Sequence, residues 1–588
     1  MALGVLLWMG CGGLDQEPPP TGEVARPSDR PADAPEESEP PDAAIPFFNK
    51  PERVPREPEP EDWFEEVTEQ LGIDFTYRDG QEAGFYQLLE NLGGGVAIFD
   101  YDQDGKMDLF FTGGGRLTGP PIQVHGRPSV LYRNEGDGRF RDVTEEAGVA
   151  GGDLYTHGVT VGDFDRDGWP DLFVAGFQGA QLLRNNQQGG FEDVTEQAGL
   201  HIDRWAVTGA WVDINNNGWL DLYVITYCDW EPDHRRRCLN DQQFRDICGP
   251  SLFPGARDYL FRNRGDGTFE DITDQAGLEP RARALGVVVA DFDRSGWMDI
   301  YVANDVQDNH LYRCGPDLPL ESVGLMAGIA YSEDGEREGS MGVDIGDFDG
   351  DGQIDLFYTN YANQDNSLRR NVGQPGEPGF LGVSSVTGKF GVSRPWVGFG
   401  TAFADFNSNG WLDLFVANGH VAYERLDSPY YQPAQMFRNE GGQRFVEVSE
   451  EVAPYFTVPH VGRGAAIGDL FNDGGMDLVI VHQNDPVVVL RNRQPPEHWV
   501  RVLLRGVDSN PDGIGAEVSA EFGERRLHFW VRGGGGYLSY FDPRIVFPAV
   551  DDQPVDVTVT WPLGRTEVFP GLTQGQTHEL VEGMGRQP

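Results

Sequence analysis

The sequence predicts an all-β protein, a seven-bladed β-propeller followed by a small β-sandwich-like domain. Three observations carry this. A block of apolar strand, acidic loop and apolar strand recurs seven times. Most blocks are followed by two further short strands. A lone strand before the first block matches a missing strand after the last.

The N-terminus precedes the repeats and differs from them. Ala2 to Met9 are almost wholly apolar and run into Gly10-Cys11. Such a run is too short to span a bilayer and has the form of a lipoprotein-type signal, residues 1–11, with Cys11 as the lipidated residue. From Asp15 to Asp62, 13 of 48 residues are proline and 14 are acidic. A segment so poor in apolar residues cannot bury a core, so 12–62 is expected to be an extended tether.

The repeats occupy 63–495. Their acidic loops begin at Asp100, Asp163, Asp213, Asp291, Asp347, Asp405 and Asp469, spaced 50 to 78 residues apart. Apolar runs such as Leu109-Phe110-Phe111 and Ile300-Tyr301-Val302 follow them; β-branched and aromatic residues bounded by Gly, Asp and Asn read as strands. Leu131 to Thr144 adds a second strand pair, and Leu260 to Thr273 repeats it. Four strands per unit at this period fit propeller blades carrying insertions. Phe64 to Thr68 reads as the closing strand of the seventh blade. Six blocks also carry a glycine five residues before the first Asp: Gly95, Gly158, Gly286, Gly342, Gly400 and Gly464.

The loops approximate D-x-D-x-D-G-x-x-D. Oxygens at positions 1, 3 and 5, a backbone carbonyl at 7 and a carboxylate at 9 suit one Ca²⁺, and glycine at 6 permits the turn. The expected ligands are Asp100, Asp102, Asp104 and Asp108; Asp163, Asp165, Asp167 and Asp171; Asp213, Asn215, Asn217 and Asp221; Asp291, Asp293, Ser295 and Asp299; Asp347, Asp349, Asp351 and Asp355; and Asp405, Asn407, Asn409 and Asp413. The Asp469 loop has Phe471 at position 3 and so lacks an oxygen. An EF-hand is excluded, because position 12 is Phe111, Val174 or Tyr358, inside a strand.

These loops and strands resemble the FG-GAP/VCBS-type repeats of integrin-like β-propellers. In the tail, His498-Trp499-Val500, Asn510-Pro511-Asp512-Gly513-Ile514-Gly515, Gly533-Gly534-Gly535-Gly536-Tyr537 and Trp561-Pro562-Leu563-Gly564 follow in order. That order resembles the ASPIC/UnbV domain, here 496–585, which follows such a propeller in a family of extracellular proteins. The alternation in Ala516 to Phe522 independently reads as a strand.

Composition narrows the function. The 588 residues hold 45 basic and 95 acidic side chains, a net charge of −50. That argues against a nucleic-acid binder and a basic membrane-surface helix; the membrane is met only through the N-terminal anchor. No phosphate-cradling loop or serine elbow is present. Arg264-Gly265-Asp266 lies in a repeat turn, and His578-Glu579 lacks the second histidine of a zinc-protease helix. Two insertions, Cys228 to Ala256 and His420 to Pro433, leave their hairpins opposite the acidic loops and share one face. Their aromatics (Trp230, Tyr423, Tyr430, Tyr431) suit stacking on a sugar or peptide. With Cys11 lipidated, Cys238–Cys248 is the first choice of disulfide, a staple within one loop. The sequence thus points to a calcium-binding surface protein, non-enzymatic, that takes an extracellular protein or glycan on its loop face. The alternative is a propeller enzyme or cofactor-dependent catalyst with its site in the central channel.

Overall fold

In the computed structural model, residues 54–588 are described, other than 234, 241–242, 388–389 and 424–427. The signal, Cys11 and most of the tether lie outside the described residues. Seven four-stranded antiparallel blades follow one another, the fourth extended to a six-stranded sheet by Gly533–Gly534 and Glu338–Gly339. The first blade is Val96–Phe99, Asp108–Phe111, Val130–Asn134 and Phe140–Asp142. The sixth is Gly398–Ala404, Asp413–Asn418, Gln435–Asn439 and Phe445–Glu447. The first strands of successive blades adjoin one another, and Gly462–Gly468 of the seventh adjoins Val96–Phe99 of the first, so the ring closes.

The glycines of the repeat have their reason here. A Cβ on Gly286 would stand 2.1 Å from the Met341 carbonyl oxygen, on Gly342 2.0 Å from that of Phe399, and on Gly464 2.1 Å from that of Gly94. Each contact is with the next blade, the last across the closure. Only a residue without Cβ lets the inner strands approach so closely.

The N-terminal strand Phe64–Glu66 completes the seventh blade, pairing antiparallel with Val488–Asn492. Phe64 is buried against Phe406 with ring centroids 5.5 Å apart. The end of the expected tether lies against the propeller: Arg56 donates to the Glu450 carbonyl at 2.9 Å and Asp62 is buried. Deleting the chain through Gly72 would bare the edge of Val488–Asn492, a template for intermolecular pairing. A lowered melting temperature and rising light scattering are expected; an unchanged melt would refute closure by this strand.

The C-terminal domain has two sheets. One contains Ile545–Pro548, Trp499–Arg505 and Thr577–Val581; the other contains Arg525–Trp530, Glu517–Phe522, Val555–Thr560 and Thr566–Leu572. Val502, Leu504, Val518, Val559 and Trp561 are buried between them. Between Trp530 and Ile545 the chain leaves this domain and enters the hub of the propeller. Gly533–Gly534 pairs with Val288–Val289 of the fourth blade. Val343 of the fifth donates to the Gly536 carbonyl at 2.9 Å, Val159 of the second to Leu538 at 3.1 Å, and Ile98 of the first to Tyr540 at 3.0 Å. Tyr537 is fully buried against Phe399 of the sixth blade, centroids 4.9 Å apart. This finger needs glycine twice over: Gly534, Gly535 and Gly536 have φ of +74°, +107° and +65°, and a Cβ on Gly533 would meet the Trp211 carbonyl at 2.0 Å.

Candidate metal centres and the loop face

All seven acidic loops are built by one set of hydrogen bonds. The position-1 carboxylate accepts the backbone N–H of positions 5 and 6: Asp100 from Asp104 and Gly105 at 3.0 and 2.8 Å, Asp163 from Asp167 and Gly168 at 3.0 and 2.9 Å. Asp213, Asp291, Asp347, Asp405 and Asp469 do the same. The position-9 carboxylate accepts from the third strand, as Asp108 does from Asn134 at 2.7 Å and Asp171 from Asn185 at 2.8 Å. These bonds hold positions 1 and 9 on the same side of the turn.

Position 3 is different. Asp102, Asp165, Asn215, Asp293 and Asp349 each keep a buried side-chain oxygen with no hydrogen-bond partner. In four loops three carboxylates place oxygens within 4.8 Å of one another: Asp100, Asp102 and Asp108; Asp163, Asp165 and Asp171; Asp291, Asp293 and Asp299; Asp347, Asp349 and Asp351. An unpaired buried oxygen costs about 1–3 kcal/mol, and bringing charges this close adds repulsion. Burial lifts Asp347 to about 6 and Asp221 to about 8, and pushes Asp108, Asp171, Asp299 and Asp355 well above the usual carboxylate range. Five loops thus have the donor set of a hard-cation site.

Arginines from the third strand partly offset this charge. Arg133 Nε lies 2.6 Å from Asp102 Oδ2, Arg370 Nε 2.6 Å from Asp349 Oδ2 and Arg313 Nε 3.0 Å from Asp293 Oδ2, the last two without hydrogen-bond geometry. The sixth loop closes on itself, since Asn407 Nδ2 donates to Asp413 Oδ2 at 2.7 Å. In the seventh, Arg501 of the C-terminal domain pairs through Nη1 with Asp469 Oδ2, both side chains buried. Arg544 Nη2 donates to the Asp469 carbonyl at 2.7 Å. The protein's own guanidinium meets the position-1 carboxylate there. In the second loop the same domain brings an acid instead: Asp163 N donates to Asp512 Oδ2 at 2.9 Å. Burial first, then this neighbour, raises Asp163.

Sequence reasoning passed over the asparagine that ends each third strand. Its Nδ2 reaches the position-2 carbonyl of the preceding blade: Asn185 to Tyr101 at 2.8 Å, Asn263 to Phe164 at 2.8 Å, Asn371 to Phe292 at 2.9 Å, Asn439 to Phe348 at 2.8 Å, Asn492 to Phe406 at 2.9 Å and Asn134 to Leu470 at 3.1 Å. The recurring Arg-Asn pair, as in Arg133-Asn134 and Arg491-Asn492, was the available signal. At the junction of the third and fourth blades the position is Cys314, a buried free thiol that cannot make this bond.

On the opposite face the two insertions meet. Cys238 and Cys248 are joined by a disulfide, Cα atoms 5.2 Å apart, while Cys228 is a buried free thiol. Tyr423 N donates to Asp246 at 3.1 Å and its hydroxyl to Glu90 at 3.1 Å. Of the four aromatics expected to stack on a partner, three are buried and Tyr431 is half-buried. Trp230, Tyr423 and Tyr430 are buried, Trp230 against Phe177 and Trp205 and Tyr423 against Tyr86 and Tyr430. Their area is spent on seating the insertions on the ring. Beneath the insertions lies a cavity of about 660 Å³, lined by residues including Asn91, Tyr227, Asp246, Asp305, Met341 and Phe399. A further cluster, His460, His482 and Asp485, does not offer the same donor set: the two rings stack at 4.4 Å, and His482 faces Pro486 O at 2.7 Å and the Tyr455 hydroxyl at 2.9 Å.

A family model described as FG-GAP-like repeat matches residues 100–174, 163–224, 245–302, 347–416 and 405–480, more than half of the chain. A model described as ASPIC and UnbV matches 506–587. Cartilage acidic protein 1 of Homo sapiens is 25% identical over 520 residues, 84% of this chain and 72% of the relative. That of Xenopus tropicalis is 24% identical over 515 residues, 84% and 73%. Among solved structures, an Agrocybe aegerita lectin recognising non-reducing terminal N-acetylglucosamine is 17% identical, covering 64% of this chain and 86% of the lectin, with a TM-score of 0.36. A superposition that loose carries no argument; the fold rests on the sheets themselves. Repeats and tail domain agree, and the chain belongs to the family of FG-GAP-repeat propeller proteins with a C-terminal ASPIC/UnbV domain.

Proposed function

We propose that this protein is an exported, calcium-loaded binding propeller, held to a membrane by a lipid on Cys11 and a tether over 12–62, and that it takes its partner on the insertion-bearing face. The observation that carries calcium is the repeated orphan oxygen: the Oδ1 atoms of Asp102, Asp165, Asn215 and Asp349 occupy the same loop position and lack a hydrogen-bond partner, and Asp293 Oδ2 in the fourth loop meets only the Arg313 guanidinium, without hydrogen-bond geometry. Coincident unsatisfied oxygens at one loop position are costly in a folded protein, and one Ca²⁺ per loop would satisfy each. Export accords with the Cys238–Cys248 disulfide, a bond of oxidising compartments. Among the described residues no helix is long and apolar enough to cross a membrane.

The finger bears on the rival reading. Catalysis in the central channel needs an open hub, whereas Gly533 to Tyr540 are hydrogen-bonded to the inner strands there. The face away from the C-terminal domain carries the insertions and the cavity, and loops on a rigid scaffold are the usual place for binding function. Equilibrium dialysis of chelator-stripped protein against ⁴⁵Ca²⁺ tests the metal. Four to five ions per chain are expected, the sixth and seventh loops contributing none. Fewer than two would overturn the assignment.

A further inference from the structure

We infer that the cavity beneath the insertions is a binding site for an organic cation, an ammonium or guanidinium group carried on an apolar body. The inference rests on the reading of this face as the binding face and names the chemistry it accepts.

The cavity sits beyond the tip of the finger. Phe399, which carries Tyr537 on the hub side, also lines it. At about 660 Å³ it lies within the size range of small-molecule sites. Its walls are largely apolar, from Leu88, Leu92, Leu285, Met341, Phe399 and Val421. Two of the buried polar groups set into them present acceptors. Asn91, 2% exposed, lines the cavity and its Oδ1 has no partner. Asp305, 8% exposed, lines it too, with Oδ2 accepting the Tyr227 hydroxyl at 2.6 Å.

No lysine, arginine or histidine is among the described residues lining it. Three cations stand behind the walls, of which Arg245, beside Asp246, donates Nη2 to the Phe85 carbonyl at 3.1 Å. Arg283 donates Nη2 to the Phe253 carbonyl at 2.8 Å. Arg463 is spent on the carbonyls of Asn91, Gly419, Gly462 and His420 at 2.8–3.2 Å, and sits among the buried acids Asp79 and Glu90. Asp79 Oδ2 and Glu90 Oε1, close behind Asn91 in the chain fold, are also without partners. Buried acceptors in an apolar chamber favour a ligand that brings donors and positive charge, because each unmet acceptor otherwise costs free energy. An anion would face Asp305 with no lining cation to receive it. A neutral apolar guest would leave Asn91 unsatisfied.

Isothermal titration calorimetry on the full chain, saturated with calcium so that the acidic loops do not compete, tests this. The probes are hexylammonium, agmatine, hexanol and hexanoate, with acetyl-Gly-Arg-Gly-amide to separate a peptide-borne cation from a free one. Hexylammonium or agmatine should bind at least tenfold more tightly than hexanol, and hexanoate not at all. Asp305→Asn, which keeps an acceptor for Tyr227, should weaken the cations about tenfold and leave hexanol unchanged. Asn91→Leu should do the same, and a melting curve confirms that each variant is folded. Tighter binding of the tripeptide than of agmatine would assign the site to a basic side chain of a protein partner; the reverse would assign it to a free amine. Equal binding of hexylammonium and hexanol, binding of hexanoate, or cation binding unmoved in both variants would overturn the inference. None of these outcomes alters the calcium count, so the two readings fail separately.

Discussion

Millimolar calcium added to chelator-stripped protein is expected to raise the melting temperature by about 10 °C. A ligand bound only by the native state stabilises it by about 2.7 kcal/mol at a hundredfold excess over Kd. Four such sites give about 11 kcal/mol, set against an unfolding entropy of about 2.1 cal/mol/K per residue over roughly 535 folded residues. The shift should grow with pH, and the sign follows from the carboxylates. Burial lifts Asp347 to about 6 and Asp221 to about 8 in the folded, metal-free protein. A carboxylate whose folded value lies above its unfolded one stabilises the fold below the unfolded value, and that stability is lost as pH rises through the folded value. The metal-free protein therefore loses this contribution between about pH 4 and 8. Calcium needs the ionised form and competes with protons less and less over that window. The calcium-induced shift measured at pH 8 should exceed that at pH 5.5; equal shifts, or none, would sink the metal assignment. Asp347→Ala should cut the shift by about one site's share.

Arg501→Met is expected to destabilise the protein by about 3–5 kcal/mol, with or without calcium. Removing one partner of a buried ion pair leaves the other charge uncompensated, and Asp469 and Arg501 are both buried. The substitution keeps the apolar stem and removes only the guanidinium, including its bond to Thr577 at 2.8 Å. Asp469→Ala should likewise lower the melting temperature by the same amount in calcium and in chelator, which separates it from Asp347→Ala. Differential scanning calorimetry of Arg501→Met, Asp469→Asn and the double variant reads the coupling. A double variant no less stable than Arg501→Met alone is expected, since the neutral amide removes the stranded charge. Fully additive losses would show that the two side chains do not act as a pair.

Legibility followed locality. The acidic loops, the glycines before them and the closing strand at Phe64 stand out because each is a short pattern repeated at a fixed place in the blade. The carboxylates expected to hold calcium were named for the same reason, and in four loops the structure brings three of them together. What was not readable depends on partners far along the chain. Gly533 to Gly536 has the composition of a flexible linker, and only backbone partners brought in by other blades, Val287 to Val289 and Val343, pair it into the hub. Arg501 looks like any strand arginine until the fold sets it on Asp469. The tyrosines of the second insertion have the composition of a stacking surface. Tyr423 and Tyr430 are buried, Tyr423 because the segment around Tyr86 and Glu90 packs on it, a long-range contact with no trace in local pattern.

The finger also sets an order on biosynthesis. Residues that fill the hub come from Gly533 to Tyr540 of a 588-residue chain, so all seven blades leave the ribosome before their axis can be occupied. Until then the N–H groups of Ile98, Val159 and Val343 and the aromatic face of Phe399 border an unfilled core. Nascent intermediates with exposed strand edges and apolar surface are the ones that aggregate or recruit chaperones. A chain stopped short of residue 533 is therefore a ring without its axle, open to degradation however complete its blades.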